Sequence, residues 1–364
     1  MILREIQLFN YKNHRSGKWL FSPKINAITG KNGSGKTNIL EAIYYWANAK
    51  SYYNSIDQQL IQFGEEFFTI SGKYEGNPPL ELLINFGKST KKSIKRNGKP
   101  IKKILDHIGQ ILTVFITPND ISIIHEGSEE RRRFIDFTIS QLDSVYLKQL
   151  VEYRKVVEQR NHFLKQGEGR MIDDLLLESF DAKLIPLNER IFETRKAFLS
   201  DFLPYFNQTY QEISDSQELA QINYISSQND TSIGDSFAQN KRLDMVSLRT
   251  TCGIHKDDLD FNINDLPVRK FGSQGQIKSF VIALKIAQYE YLKSKSGQTP
   301  ILLLDDIFEK IDETRSNKLM AMVCGDRFGQ IFVSDTSAQR VREHFNPYGV
   351  DCQIIEITPS NTTT

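Results

Sequence analysis

The chain has 364 residues, 39% of them hydrophobic and 25% charged, a balance that excludes a disordered or low-complexity protein. Lysine and arginine number 46 against 45 acids, for a net charge of +1, which excludes a uniformly basic nucleic-acid coat protein; any nucleic-acid contact must come from a local patch or from a surface made on association. No apolar run reaches the roughly 18 residues of a membrane span, Met1-Ile2-Leu3-Arg4-Glu5 lacks the apolar stretch of a signal peptide, and Cys252, Cys324 and Cys352 fall in no metal or disulfide spacing, so reduced thiols in a cytoplasmic protein are expected.

A chain this long exceeds what one compact core supports, so two or more lobes are expected. The first segment alternates, with Ile2, Arg4, Ile6 and Leu8 on one face, which is strand period. A second apolar run, Lys24–Thr29, ends at Gly30. Beyond the glycines, Ile39, Leu40, Ala42, Ile43 and Trp46 recur at helical spacing, so the order is strand, glycine-rich loop, helix. Residues 66–120 read as a meander of strands, and Asn97-Gly98 within it is a strong two-residue hairpin signal. From about 121 to 220 the period becomes helical, with Leu142, Tyr146, Leu150, Tyr153, Val157 and Leu164 as one stripe, and with Pro186 expected to interrupt a second stretch. Residues 226–240 read as loop. An α/β texture returns after about 245: Phe280–Leu284 opens an apolar helix, and Pro300–Leu304 and Gln330–Val333 are buried strands. The expected organisation is an α/β head from 1–120 and 245–364, split by a mainly helical insertion over 121–244.

Gly30-Lys31-Asn32-Gly33-Ser34-Gly35-Lys36-Thr37 fits the phosphate-loop pattern. Glycines let the backbone take positive φ and approach phosphate oxygens, Lys36 is placed for the β- and γ-phosphates, the Thr37 hydroxyl suits Mg²⁺, and the helix from Asn38 aims its N-terminal dipole at the same anion. Ile301-Leu302-Leu303-Leu304 ends in Asp305-Asp306, a buried strand delivering two acids. Asp305 is the candidate Mg²⁺ partner and Asp306 the candidate group that polarises the attacking water, the Walker B arrangement. Ser273-Gln274-Gly275-Gln276 precedes a helix and lies one helix, one turn and one strand ahead of Asp305, the spacing of an ABC signature that contacts the γ-phosphate held by a second subunit. Read alone, the same four residues make an ordinary helix cap. Glu309-Lys310-Ile311-Asp312 occupies the place of a D-loop.

The combined pattern resembles the RecF family of bacterial DNA repair proteins. The likeness is carried by Asn10-Tyr11-Lys12-Asn13, Gly30 to Glu41, Thr117-Pro118-Asn119-Asp120, Arg131-Arg132-Arg133-Phe134-Ile135-Asp136, Gln159-Arg160-Asn161, Gly253-Ile254-His255-Lys256-Asp257-Asp258, Ser273 to Ser279 and Leu303 to Asp306. Ile254 stands where the family usually has proline, Asn119 where it has glutamate, and Asn48–Tyr53 lacks an expected arginine. The resemblance implies ATP as ligand, an ATP-dependent homodimer that clamps DNA, and slow hydrolysis that resets it as a switch. It also implies a role in repair, fork recovery and the SOS response, with RecR and RecO proteins as partners in loading recombinase.

Other readings fit less well. Too little chain separates Thr37 from Ser273 for the long heptad arms of a structural SMC protein. A transporter subunit normally carries Leu-Ser-Gly-Gly-Gln. The guanine-reading Asn-Lys-x-Asp is approached only by Asn240-Lys241-Arg242-Leu243, which fails at the acid. A DNA contact is expected at residues 88–103, which hold Lys88, Lys91, Lys92, Lys95, Arg96, Lys99, Lys102 and Lys103 and no acid. The hairpin gathers Lys95, Arg96 and Lys99 near one tip, and with Lys91 and Lys92 these are the candidate DNA residues, suited to phosphate contact without base reading. A lysine-protected sheet edge would look the same.

Overall fold

The computed structural model describes residues 2–76, 78–167, 173–214, 218–307 and 313–358. The elements in chain order are β1 (Ile2–Tyr11), β2 (His14–Leu20), β3 (Ile25–Thr29), α1 (Lys36–Asn48), β4 (Phe67–Glu75), β5 (Leu80–Gly87), β6 (Thr90–Arg96), β7 (Lys99–Pro100) and β8 (Thr113–Ile116). There follow α2 (Ser122–His125), α3 (Ser128–Leu142), α4 (Ser144–Gln166), α5 (Asp174–Ile213), β9 (Ala220–Ile225), α6 (Ile233–Ser247), β10 (Asp258–Ile263), β11 (Leu266–Pro267), α7 (Val268–Phe271) and α8 (Gln274–Ser296). The chain ends with β12 (Ile301–Leu304), α9 (Glu313–Cys324), β13 (Ile331–Asp335), α10 (Ala338–Phe345) and β14 (Cys352–Glu356).

Packing divides these elements into two units: Met1–Asp120 with Glu212–Ser214 and Ile282–Thr364, and Ile121–Gln211 with Asp215–Val281. The first unit holds two sheets. One is antiparallel, in the order β2-β1-β4-β5-β6-β7; the other is parallel, in the order β14-β3-β13-β12-β8. Helix α1 touches strands of both sheets and is buried nearly all round, through Ile39, Leu40, Ile43, Tyr45, Trp46 and Ala47. A helix without a polar face belongs between two layers. Strands β3, β12 and β13 are buried along their whole length, and β12 is wholly apolar, as a sheet covered on both faces demands.

The expected meander over 66–120 is narrower than the sequence suggests. It covers β4 to β7, while β8 leaves it to pair with β12 in the parallel sheet. Asn97 and Gly98 take φ of 48° and 77°, the two positive values that a type I′ hairpin turn needs.

The second unit packs α3, α4 and α5 with the three-stranded sheet β11-β10-β9. Its core is aromatic, running through Phe134, Phe198, Phe202, Phe206, Phe261 and Phe280, with ring centroids 4.9 to 5.9 Å apart. Two expectations are corrected here. Pro186 does not interrupt the helix: α5 runs 40 residues through both Pro186 and Pro204. Its buried stripe, from Leu177 and Leu184 to Phe206 and Tyr210, outweighs the backbone hydrogen bonds the prolines remove. Residues 226–240 are not all loop, because Ser232 caps α6 by accepting from the Asp235 N–H at 3.1 Å. Residues 245–281, read from the sequence as part of the head, group with the helical unit, since β10 pairs along its whole length with β9.

Candidate functional site

In the first unit, the C-terminal ends of β3 and β12 lie on either side of β13 in the parallel sheet, and each delivers one motif. After β3, Gly30, Gly33 and Gly35 take φ of 151°, 80° and 101°, so the loop can curl over its own backbone. Gly35 has a second reason to be glycine: a β-carbon there would come within 2.6 Å of the Asn13 side chain and within 2.5 Å of His14 Nε2. Lys31, Asn32 and Gly33 are exposed at the tip, and the Ser34 N–H closes the turn on the Lys31 carbonyl at 3.1 Å. Lys36 is buried at the root, with Nζ donating to the carbonyls of Gly30 at 2.8 Å and Lys31 at 3.3 Å. Asn38 donates to Asn13 Oδ1 at 2.7 Å.

Helix α1 starts at Lys36 with no side-chain cap, so its first-turn N–H groups face the loop. The Ser34 hydroxyl is buried there without a hydrogen-bond partner among the described residues. Unsatisfied donors converging on a positive helix end fit a phosphate group.

At the end of β12, Asp305 is 5% exposed, and its carboxylate accepts three hydroxyls: Thr37 at 2.9 Å and Ser334 at 2.7 Å on Oδ1, and Tyr53 at 3.0 Å on Oδ2. Asp306 is next, in left-handed backbone (φ 44°), with its N–H donating to Ser334 Oγ at 2.9 Å. A threonine hydroxyl beside a carboxylate is a hard-oxygen pair of the kind Mg²⁺ takes, completing its shell with water and phosphate. The Tyr53 phenol is pushed above its ordinary pKa by burial first and by the Asp305 charge second, so it remains a donor.

The signature residues lie in the second unit. Ser273 Oγ accepts from the Gln276 N–H at 3.2 Å while Gln276 Oε1 accepts from the Ser273 N–H at 2.8 Å, a reciprocal capping box that starts α8. Gln276 Nε2 also donates to Glu218 at 2.8 Å. Ser273 and Gln274 are exposed and Gly275 is half-buried. The D-loop candidates Glu309, Lys310, Ile311 and Asp312 lie outside the described residues.

Most of the other motif residues of this unit are engaged within it. Arg195, 1% exposed, donates to Asp136 at 3.0 and 3.1 Å, to the Ile254 carbonyl at 2.8 Å and to Asp257 at 3.2 Å. Arg131 forms a two-pronged pair with Asp258 at 2.6 and 3.0 Å, and Arg132 donates to the Asp257 carbonyl at 2.6 Å. Arg160 bonds Asp181, Asp244 and Thr250. His255 accepts from the Tyr153 hydroxyl at 2.6 Å, and burial lowers its pKa to about 4.

The basic hairpin divides as well. Lys92 is turned inward, paired with Asp57 at 2.6 Å, donating to the Ala49 carbonyl and lying 5.0 Å over the Tyr45 ring. Lys91, Lys95 and Lys99 are exposed, and Arg96 is half-buried. Tyr53, Ser334, Asn13 and His14 join the site without a role that the sequence assigns them. Only Asn13 belongs to a family motif, and Ser334 sits one residue past a strand that the sequence does reveal.

The family pattern described as RecF/RecN/SMC N terminal domain matches residues 2–356. A DNA replication and repair protein RecF from Flavobacterium johnsoniae is 48% identical over 342 residues, covering 93% of this chain and 95% of that one. The chain belongs to the RecF family. Among solved structures, the recombination mediator protein RecF-ATP in the RecFOR pathway aligns with a TM-score of 0.87 and 30% identity, over 98% of this chain and 96% of that one. A Pyrococcus furiosus Smc head domain with an extended coiled coil aligns at a TM-score of 0.56 and 17% identity, over 99% and 94%. The fold is therefore that of the ABC/SMC ATPase head. No helix among the described residues is long and apolar enough to cross a membrane.

Proposed function

We propose that this RecF-family chain is an ATP-operated DNA-binding protein of recombinational repair and replication-fork recovery. The observation that carries the reading is the 2.9 Å contact between Thr37 of the glycine-rich loop and Asp305 at the tip of β12. It joins a phosphate cradle to a carboxylate, as ATP with Mg²⁺ requires. Loop N–H groups and Lys36 hold the β- and γ-phosphates. The Thr37 hydroxyl and Asp305 are the residues that would hold Mg²⁺, which would supply positive charge beside the phosphates. Asp306 orients and polarises the attacking water.

Ser273 to Gln276 act on the nucleotide of a second copy, so that two subunits enclose two ATP molecules and close on DNA, and slow hydrolysis releases the grip. The N- and C-terminal parts of the chain make the ATPase head, with the mainly helical segment inserted between them. RecR and RecO proteins are the partners this reading assigns, in the cytoplasm, within recombinase loading and the SOS response. The exposed lysines of the β6–β7 hairpin supply the DNA contact.

Solution mass and DNA binding, measured with and without ATP, test the reading. The expected result is a monomer that doubles in mass with ATP and binds DNA more tightly in that state. Asp306→Asn should bind ATP, fail to hydrolyse it and accumulate the double-mass form, whereas Ser273→Arg should bind ATP and stay single. A mass indifferent to both ATP and Ser273→Arg would sink the dimer.

A further inference from the structure

Asp305 uses its two oxygens differently. Oδ1 faces Thr37 and Ser334, while among the described residues Oδ2 takes a single hydrogen bond, from the Tyr53 phenol at 3.0 Å. The terminal torsion of an aspartate is broad, so such a carboxylate turns easily unless both ends are held. The Thr37 hydroxyl can keep its proton on Asp305 while a lone pair faces a cation, provided the carboxylate does not rotate away. We propose that Tyr53 is a positioning residue for Asp305, its phenol fixing the carboxylate in the orientation that a divalent cation on Thr37 requires. This rests on the ATP–Mg²⁺ reading above.

The neighbours of Tyr53 are pinned, so its reach is preset. Ser51 donates to the buried Glu41 and accepts from the Asn54 N–H at 2.9 Å. The Tyr52 hydroxyl donates to Asp120 and accepts from Lys285 Nζ at 2.8 Å, and Lys285 pairs with Asp120 at 3.0 Å. The Tyr53 ring stands edge-on to Tyr52 and Phe115, at 5.3 and 6.0 Å, with Lys12 Nζ 5.8 Å from its centre. Three successive side chains are thus committed to three buried carboxylates, and the third is the candidate metal partner. A buried phenol that keeps its proton can only donate to that carboxylate.

Tyr53→Phe keeps the ring and removes the donor. Two readouts are needed: binding of a fluorescent ATP analogue as Mg²⁺ is raised, and Mn²⁺ binding by electron paramagnetic resonance in the presence of a non-hydrolysable ATP analogue. Losing a hydrogen bond that orients a metal-binding carboxylate typically weakens metal affinity by about 10-fold or more. The metal midpoint should therefore rise by about that factor in both experiments, with nucleotide affinity in EDTA unchanged. A native metal titration in Tyr53→Phe overturns the proposal. So does an equal loss with and without metal, which would mark a general packing role. If the native protein itself shows no metal-dependent nucleotide binding, the ATP–Mg²⁺ reading fails, and the proposal with it.

Discussion

Two clusters of charged and polar side chains, one in each unit, use the same chemistry to opposite ends. Around Arg195, every strong donor is spent inside the protein: one guanidinium reaches two carboxylates and a carbonyl, and Tyr146 and Tyr224 donate to the same acids. Around Gly30 to Thr37, donors remain uncommitted: the first turn of α1 has no side-chain cap and the Ser34 hydroxyl has no partner among the described residues. A buried polar group without a partner costs free energy, and one beside an uncapped helix start is placed where an anion would satisfy it. The RecF-specific motifs, Arg131 to Asp136 and Gly253 to Asp258, belong to the closed cluster. The glycine-rich loop shared by many nucleotide-binding proteins is the open one. In this chain the motifs that carry the family resemblance pack within one unit, while the glycine-rich loop keeps donors free for the proposed nucleotide.

Breaking the closed cluster should give the larger effect on folding. Arg195→Met leaves Asp136 and Asp257 buried without their main cation. Removing one partner of a buried ion pair costs about 3–5 kcal/mol, because the remaining charge is neither solvated nor paired. Thermal melting should show that loss, and a double Arg195→Met, Asp136→Leu variant should recover part of it. An Arg195→Met protein that melts like the native one would mean that the cluster is not closed in solution.

The open cluster should respond the other way, losing ligand affinity rather than stability. Among the described residues, Lys36 is bonded only to two loop carbonyls, at 2.8 and 3.3 Å. Lys36→Ala should therefore leave the melting temperature nearly unchanged while ATP affinity falls by about 3 kcal/mol, the upper range for a hydrogen bond to a charged group. Isothermal titration with ATP and Mg²⁺ measures it. Near-native affinity would remove Lys36 from the phosphate site.

The asymmetry also explains what can be read from sequence. The phosphate loop and the acid-terminated strand are local patterns, since glycine positions and an apolar run fix their shape within a few residues. The contacts that orient Asp305 are not local: Tyr53 and Ser334 come from distant segments and carry no spacing signal. For the same reason Pro186 misleads, because a local rule against proline is overridden by the buried stripe of a helix 40 residues long. Helix α6 escapes a sequence reading because Gly234 and its polar residues weaken the periodic pattern. Asn97-Gly98 announces the hairpin, while nothing nearby announces that Asp57 captures Lys92.

That capture sharpens the smallest expected effect. Lys92 is committed to Asp57 and the Ala49 carbonyl, and Arg96 is half-buried, so the lysines placed to meet a phosphate are the exposed Lys91, Lys95 and Lys99. The alternative surface at Arg131 to Arg133 offers little: Arg131 and Arg132 are engaged within their unit and Arg133 pairs with Glu129 and Glu130. Each phosphate neutralised on duplex DNA contributes about 0.9 to the slope of log affinity against log salt. Lys91→Ala, Lys95→Ala, Lys99→Ala should weaken DNA binding and flatten that slope by about 0.9 for every phosphate left without its lysine, with ATP binding and melting unchanged. Lys92→Met should behave differently, lowering stability through the unpaired Asp57 and leaving the slope alone. If the triple variant keeps the native slope, these lysines are a solvated sheet edge that guards β7 against pairing with another chain, and the open cluster of this protein ends at the nucleotide.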